Sequence, residues 1–230
     1  MLNERPASLV VRGVLQPGHY IALARMGRVY EQPLRVASRY LLGRGQYPYT
    51  MRVQTPCGIQ ELTLFSGHDA MTVHEVFCRE VYRCAPPAEV IVDLGSNVGI
   101  SALYFLTRSP TAYCDLYEPD PRNTERLRQN LRAFNGRFTL HEVGVADKDG
   151  SFEFIREASG RYGSFKTTTW LGLSPEKRHE TDRIEVRVEH INTVLERAVS
   201  SRGQVDLLKI DTEGYEVDIL RAIDPLLLRR

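Results

Sequence analysis

The chain has 230 residues and a formal net charge of +1, so its overall charge gives no argument for nucleic acid or a membrane surface as a partner. Its length allows one α/β domain with an N-terminal extension. The sequence shows no apolar run of membrane-spanning length and no secretory signal, and its four cysteines form no Cys-x-x-Cys pair, which predicts buried thiols in a reducing cytoplasm.

Residues 1–85 are expected to form the N-terminal extension. Residues 21–42 are compatible with an amphipathic helix that is interrupted near Pro33, in a segment rich in arginine. We interpret residues 1–48 as a solvated cap packed on the core, with an arm for an anionic partner or a membrane surface as the alternative. Residues 50–55 and 59–65 alternate as the strands of a β-hairpin.

A helix is predicted to follow the hairpin and to begin at Thr72, because Glu75 three residues later completes a capping box. The face of this helix that packs in the core should carry Val73, Val76, Phe77 and Val81. Side chains of metal-ligand type also occur here, in His68, Asp69 and His74. The capping role accounts for most of this segment, so we predict no metal site.

Residues 90–99 combine a buried strand with a glycine-bounded turn. The apolar run ends at Asp93, and the turn leads into an apolar, helix-compatible segment. Glycines let the backbone bend sharply and approach a ligand, and a helix N-terminus favours an anionic group. Asn97 stands where a dinucleotide fingerprint has its second glycine, which favours S-adenosylmethionine over NAD. We predict that the cofactor contacts Asp93, Gly95, Ser96, Asn97 and Gly99.

A second short strand, residues 113–117, ends at Glu118. This carboxylate follows the glycine turn by roughly 20 residues, the offset at which an acid meets a ribose in such folds. It can accept hydrogen bonds from both ribose hydroxyls, and it would repel a 2′-phosphate. We predict that Glu118 and Pro119 bind the adenosine part of the cofactor, with a solvated acid at a strand end as the alternative.

The chain continues as alternating strands and helices. A third strand is predicted over 138–143, and Val145 and Ala146 follow it at the edge of the sheet where a ligand crevice forms, so we assign both to the cofactor. Residues 151–155 and 183–188 alternate as an antiparallel insertion. The polar segment between them, 159–180, is expected to be a loop over the site.

The next helix is expected to be capped by Asn192, and another buried strand follows over 205–210, ending in Asp211-Thr-Glu-Gly-Tyr-Glu216. With the two earlier motifs, this segment resembles the FkbM-type methyltransferase family. The family pattern reads Asp-x-Gly-Ala/Ser-Asn-x-Gly, then Glu-Pro-x-Pro, then Lys-Ile-Asp-x-Glu-Gly-x-Glu, and all three parts occur here in order. The resemblance extends over roughly residues 66–224.

The resemblance implies an α/β fold with the Rossmann-like parallel sheet of class I methyltransferases. It also implies transfer of a methyl group from S-adenosylmethionine to a hydroxyl, often on a sugar, a glycoside or a polyketide-like small molecule. A pre-strand Asp…Glu…Tyr pattern of the family matches Asp69, Glu75 and Tyr82, and the resemblance places these residues near the cofactor or the acceptor.

Methyl transfer to a hydroxyl needs a base near the methyl group. We assign Asp211, Glu213 and Lys209 to the catalytic group, with Asp211 or Glu213 as base, as substrate anchor or as ligand of a divalent ion. The alternative is an acid pair that is satisfied by nearby N–H groups and by Lys209. His68 is the next candidate for the base.

Residues 86–230 are predicted to form the methyltransferase domain, which ends after its fourth core strand and one helix. The resemblance implies seven strands, so strand 205–210 would be an uncovered edge, which proteins avoid. We therefore expect truncation, a covering segment or a homo-oligomer. The alternative function is a non-catalytic or truncated cofactor-binding or assembly protein. Nucleic acid is not expected as a partner, because basic and aromatic residues do not interleave.

Overall fold

The structure is a computed structural model that describes residues 17–42, 45–157, 163–164, 181–212 and 214–227. The chain divides into two compact units, Met1–Arg83 and Cys84–Arg230. Glu213 and nearly all of the predicted loop 159–180 lie outside the described residues. None of the described helices is long and apolar enough to cross a membrane.

The first unit contains two helices, α1 (Pro17–Val29) and α2 (Pro33–Leu42), and the antiparallel hairpin of β1 (Tyr49–Thr55) and β2 (Gly58–Leu64). The helix predicted to be interrupted near Pro33 and the predicted hairpin are both confirmed. In β1, Met51, Val53 and Thr55 are buried and the residues between them are exposed, which is the period of two expected of a half-buried strand.

The helix after the hairpin begins earlier than predicted. Helix α3 spans Gly67–Val73 and continues as one π-helical segment, His74–Cys78. Its capping box is formed by Ser66 and Asp69, so the predicted start at Thr72 is wrong. Of the predicted core residues Val73, Val76 and Phe77 are buried, whereas Val81 is 53% exposed and was assigned wrongly.

The second unit is built from strands and helices in alternation. In chain order they are β3 (Val90–Leu94), α4 (Ile100–Arg108), β4 (Tyr113–Tyr117), α5 (Pro121–Asn130), β5 (Phe138–His141), β6 (Gly144–Ala146), β7 (Gly150–Glu157), β8 (Gly163–Ser164), β9 (Thr181–His190), α6 (Ile191–Arg202), β10 (Leu207–Ile210) and α7 (Glu216–Ala222). The predicted third strand therefore ends at His141, and β6 belongs to a different sheet.

Strands β10, β3, β4 and β5 form a parallel sheet in that order. The chain runs outward from β3 to β5 and returns to the other side of β3 as β10. This reversal of direction beside β3 is the place where open α/β sheets bind ligands, at the carboxyl ends of the strands. Among the described residues, β10 pairs with β3 alone, so it forms one edge of this sheet.

The second sheet has the order β6, β9, β7, β8. Strand β6 pairs in parallel with β9, and β7 pairs with β9 antiparallel, so the predicted antiparallel insertion is confirmed. Strand β9 leads directly into α6, whose N-cap is His190: its Nδ1 accepts a hydrogen bond from the Asn192 N–H. The predicted cap at Asn192 is wrong, because the Asn192 amide instead bonds to Ala222 and Asp224.

The core of this unit packs α6 and α7 against the parallel sheet. Its buried members include Val92, Leu94, Tyr117, Ile191 and Ile219. Helix α4 is also buried along most of its length. Because apolar side chains cover the central strand β3, only its carboxyl end remains available for polar chemistry.

Candidate functional site

The glycine turn after β3 and the segment after β10 lie in direct contact. Gly95 has φ of +75°, and a Cβ added there would lie 1.9 Å from the carbonyl oxygen of Asp211. The N–H groups of Gly95 and Ser96 donate to the carbonyl of Tyr117, at 2.9 and 3.1 Å. The turn is therefore held by the ends of both neighbouring strands, and a residue without a Cβ is required at Gly95.

The far end of the turn is equally restricted. Gly99 is the N-cap of α4 with φ of +86°, and a Cβ there would lie 3.2 Å from Leu127 Cγ. Asn97 also has a left-handed backbone, with φ of +48°. Among residues other than glycine, asparagine adopts this conformation more readily than most, which explains why asparagine fits at position 97.

A buried ion pair lies beneath the turn. Asp93 is fully buried, and its Oδ1 accepts from Lys209 Nζ at 2.8 Å while its Oδ2 accepts from Ser101 Oγ at 2.6 Å. Lys209 is opposite Asp93 in the register of β10 and β3. Its ammonium also donates to the carbonyls of Leu94 and Gly95, at 3.3 and 2.9 Å. Asp93 and Lys209 thus hold the glycine turn from below.

Glu118 lies at the end of β4, against the same turn. It is 5% exposed, and its Oε2 and Oε1 accept hydrogen bonds from the backbone N–H groups of Asn97 and Asp120, each at 2.9 Å. Burial raises the pKa of Glu118 to about 7, and the two backbone N–H groups oppose part of that rise. The Asn123 side chain also bonds to this carboxylate, and the acceptor capacity that remains is available to a hydroxyl donor.

The segment after β10 combines a reachable acid with a fixed backbone. The Asp211 side chain is 58% exposed, and its Oδ2 lies 3.7 Å from Lys209 Nζ. The Asp211 N–H donates to the carbonyl of Leu94 at 3.1 Å. The carboxylate of Glu216 accepts from the N–H groups of Thr212 and Gly214, which fixes the turn between β10 and α7. Glu213 lies outside the described residues.

Two polar atoms at this edge have no hydrogen-bond partner among the residues that the structure describes. They are the buried Oδ1 of Asn97 and the buried Oγ1 of Thr212. Buried polar groups are nearly always bonded, so both atoms are expected to meet a water molecule or a ligand. Asn97 was predicted from the sequence, whereas Thr212 was missed, because a threonine in a turn carries no distinctive sequence signal.

The remaining predicted residues occupy other positions. Ser96 is buried and its Oγ donates to the carbonyl of Asp93, and Pro119 lies between Glu118 and Asp120. Val145 and Ala146 are both buried on β6, and Val145 belongs to the core that includes Tyr117. Their assignment to the cofactor stays a prediction.

Asp69 and Glu75 belong to the first compact unit. The Asp69 carboxylate accepts from the N–H groups of Phe65 and Ser66, so it caps α3. Glu75 is exposed and lies 4.0 Å from Arg79. Their contact with the cofactor also stays a prediction. Within the described ranges, no three histidine, cysteine, aspartate or glutamate side chains cluster in a way that could hold a metal ion.

Comparisons to known proteins relate this chain to methyltransferases. The family model described as methyltransferase FkbM domain matches residues 93–230. Methyltransferase 1 of Beauveria bassiana is 29% identical over 163 residues, which cover 65% of this chain and 65% of that protein. The 2-O-methyltransferase NoeI of Sinorhizobium fredii is 32% identical over 141 residues, 58% of this chain and 57% of that protein.

The hexuronic acid methyltransferase AglP of Haloferax volcanii is more distant. It is 23% identical over 138 residues, which cover 59% of this chain and 50% of that protein. The chain thus spans between half and about two thirds of the length of these three relatives.

Proposed function

The chain belongs to the FkbM methyltransferase family, and on that premise we propose that it transfers a methyl group from S-adenosylmethionine to a hydroxyl of a small molecule. The observation that carries this proposal is the convergence of the glycine turn, Glu118 and Asp211 at one edge of the parallel sheet. The proposed acceptor is a sugar, a glycoside or a polyketide-like product. The names of NoeI and AglP support a hydroxyl and a sugar, respectively.

The polar groups at this edge fit the proposed cofactor. Glu118 offers its remaining acceptor capacity to the ribose hydroxyls. Asn97 Oδ1 and Thr212 Oγ1, which have no partner among the described residues, offer an acceptor and a hydroxyl to the methionine part. The N-terminus of α4 has no side-chain cap, so its free N–H groups favour a carboxylate. When bound, S-adenosylmethionine supplies an electrophilic methyl group on a sulfonium.

The residues of the chain then have two tasks. The turn from Gly95 to Gly99 holds the ligand in one orientation, and positioning of this kind supplies much of the rate of a displacement reaction. Asp211 accepts the proton of the attacking hydroxyl, since its carboxylate is exposed at the carboxyl end of β10. Lys209 is committed to Asp93 and to two backbone carbonyls, so its task is to position the turn.

Calorimetric titration with S-adenosylhomocysteine tests the cofactor. Wild-type protein should bind it, and Glu118→Ala should weaken binding about ten- to hundredfold, because a charged acceptor is lost. Glu125→Ala is the matched control, since Glu125 is an exposed acid on α5, and it should bind as wild type does. Binding of NAD, or equal affinity of wild type and Glu118→Ala, would contradict the proposal.

Transfer of a radiolabelled methyl group into a host-cell extract tests the reaction. The label is expected in the small-molecule fraction and, after hydrolysis, as an O-methyl group. Label in nucleic acid would refute the proposed acceptor class. If the protein binds S-adenosylhomocysteine but transfers no label, the result would favour the cofactor-binding or assembly role. The pairing of β10 with β3 alone among the described strands is the observation that supports this alternative.

A further inference from the structure

The antiparallel hairpin of β7 and β9 is tied to the loop that follows β4. Arg156 on β7 is opposite Asp182 on β9, and its Nη2 and Nε donate to Asp182 Oδ2 at 2.7 and 3.1 Å. Its Nη1 reaches across to Asp120 Oδ1 at 2.9 Å. One guanidinium therefore joins both strands of the hairpin to the segment between β4 and α5.

Asp120 is in turn connected to the candidate cofactor site. Its backbone N–H donates to Glu118 Oε1, and Glu118 Oε2 accepts from the Asn97 N–H in the glycine turn. A continuous series of hydrogen bonds therefore runs from Asp182 through Arg156, Asp120 and Glu118 to Asn97. Every member of this series lies in the second compact unit.

The charges make this connection costly to break. The Asp120 side chain is 2% exposed, and two cations balance it: Arg122 from the first turn of α5, and Arg156 from the hairpin. A buried carboxylate that loses a partner is strongly destabilised. The charge of Asp120 also acts on Glu118, whose pKa it helps to raise.

We propose that Arg156 is a positioning residue that couples the β7–β9 hairpin to the cofactor site, because by holding Asp120 it keeps Glu118 and Asn97 in place for the cofactor. The identity of the cofactor rests on the proposed function, whereas the coupling between Arg156 and Glu118 does not. A ligand that displaces the hairpin must then change cofactor affinity, and the cofactor must change the affinity of that ligand by the same factor.

The hairpin offers a matched control for this coupling. Arg183 on β9 pairs with Glu153 on β7, in a position adjacent to Arg156 in the strand register. Both partners are more than half exposed, and the ion pair between them includes no residue of the loop that contains Asp120. Exposed pairs of this kind contribute little, so Arg183→Met removes a hairpin arginine without touching the proposed connection.

The first measurement needs no cofactor. The Asn97 amide donates to Glu118, so its chemical shift followed by NMR against pH reports the titration of Glu118. The groups that face Glu118 are Asp120 and Asn123, with Arg122 and Arg156 behind Asp120. The midpoint of the Glu118 titration should lie near pH 7 in wild type and at a higher pH in Arg156→Met. Without Arg156, the negative charge of Asp120 is balanced by one cation fewer, so it disfavours the ionised form of Glu118 more strongly.

In the same titration Arg183→Met should keep the wild-type midpoint, and Arg156→Lys should fall between wild type and Arg156→Met. The second measurement is calorimetric titration with S-adenosylhomocysteine at pH 8. Arg156→Met should bind about two- to thirtyfold more weakly than wild type, and Arg183→Met as tightly as wild type.

Arg156→Met that equalled Arg183→Met in both measurements would overturn the proposal. If Arg156→Met did not fold, Arg156→Lys would decide, since identity with wild type in both measurements would also overturn it. If wild type bound no S-adenosylhomocysteine, the proposed function would fail, and the amide titration alone would still confirm or refute the coupling.

Discussion

Replacement of Gly95 by alanine should damage this protein far more than the same replacement at Gly203. Both glycines have left-handed backbones, with φ of +75° and +86°, so alanine costs about 1–2 kcal/mol at either position. A Cβ at Gly203 meets no atom within 4 Å, whereas a Cβ at Gly95 would lie 1.9 Å from the carbonyl oxygen of Asp211. The pair of variants therefore separates backbone strain from steric overlap.

The overlap at Gly95 can be estimated. Ordinary van der Waals contact begins near 3.4 Å, whereas the added Cβ would lie 1.9 Å from the Asp211 carbonyl oxygen. This oxygen must therefore move away by about 1.5 Å. Overpacking of this kind costs about 1–3 kcal/mol in addition to the backbone strain. Gly95→Ala should therefore lose about 2–5 kcal/mol of unfolding free energy, against about 1–2 kcal/mol for Gly203→Ala.

Urea unfolding and calorimetric titration with S-adenosylhomocysteine measure the two consequences. In a chain of this size, each kcal/mol of lost unfolding free energy lowers the melting temperature by about 2–4 °C. Gly203→Ala should keep wild-type affinity, because Gly203 ends α6 and takes no part in the site, while Gly95→Ala should lose binding. Equal stability and equal affinity of the two variants would refute the contact between the glycine turn and Asp211.

Three further outcomes are expected. Lys209→Met should lower the unfolding free energy by about 3–5 kcal/mol in urea unfolding, because it leaves Asp93 buried without its cation. The double variant that also carries Asp93→Asn should recover part of this loss. A Lys209→Met variant as stable as wild type would contradict this expectation. The folded-state pKa of Glu118 is raised from 4.5 to about 7, so its contribution to stability is complete below pH 4.5 and is lost as the pH rises to about 7. Wild type should thus lose about 3 kcal/mol over that range relative to Glu118→Gln, and parallel stability curves of the two proteins would be the opposing result. Asp211→Asn should lower turnover about a hundred- to ten-thousandfold and leave cofactor affinity nearly unchanged, whereas wild-type turnover in both Asp211→Asn and Glu213→Gln would place the base elsewhere.

The sequence predicted the parallel sheet because its signals are local. Short apolar runs that end in an acid or a glycine identify buried strands, and parallel strands bring their carboxyl ends to one edge. The contact between Gly95 and the Asp211 segment follows from these two facts together with the strand order. The apolar run over 205–210 predicted β10 in the same way, and the resemblance to the family pattern agreed with that strand.

Two kinds of feature could not be predicted in this way. Ser66 with Asp69 and Thr72 with Glu75 both fit a capping box, and the structure selects the first, in which Asp69 also binds the Phe65 N–H. Arg156 is a polar residue of strand β7, and it is separated from Asp120 by 36 residues. A partner at such a distance depends on how the hairpin packs on the sheet, and no local pattern carries that information.

The separation of Asp93 from Lys209 also has a consequence for biosynthesis. The two residues lie 116 positions apart in the chain, so a ribosome adding 5–20 residues per second needs roughly 10 s to supply the ammonium after the carboxylate. Burial of an unpaired carboxylate is unfavourable, and strand β3 is therefore expected to stay unburied during that interval. The pairing of β3 with β10 can form only after β10 has been synthesised, so the apolar residues of β3 lack that neighbour until then.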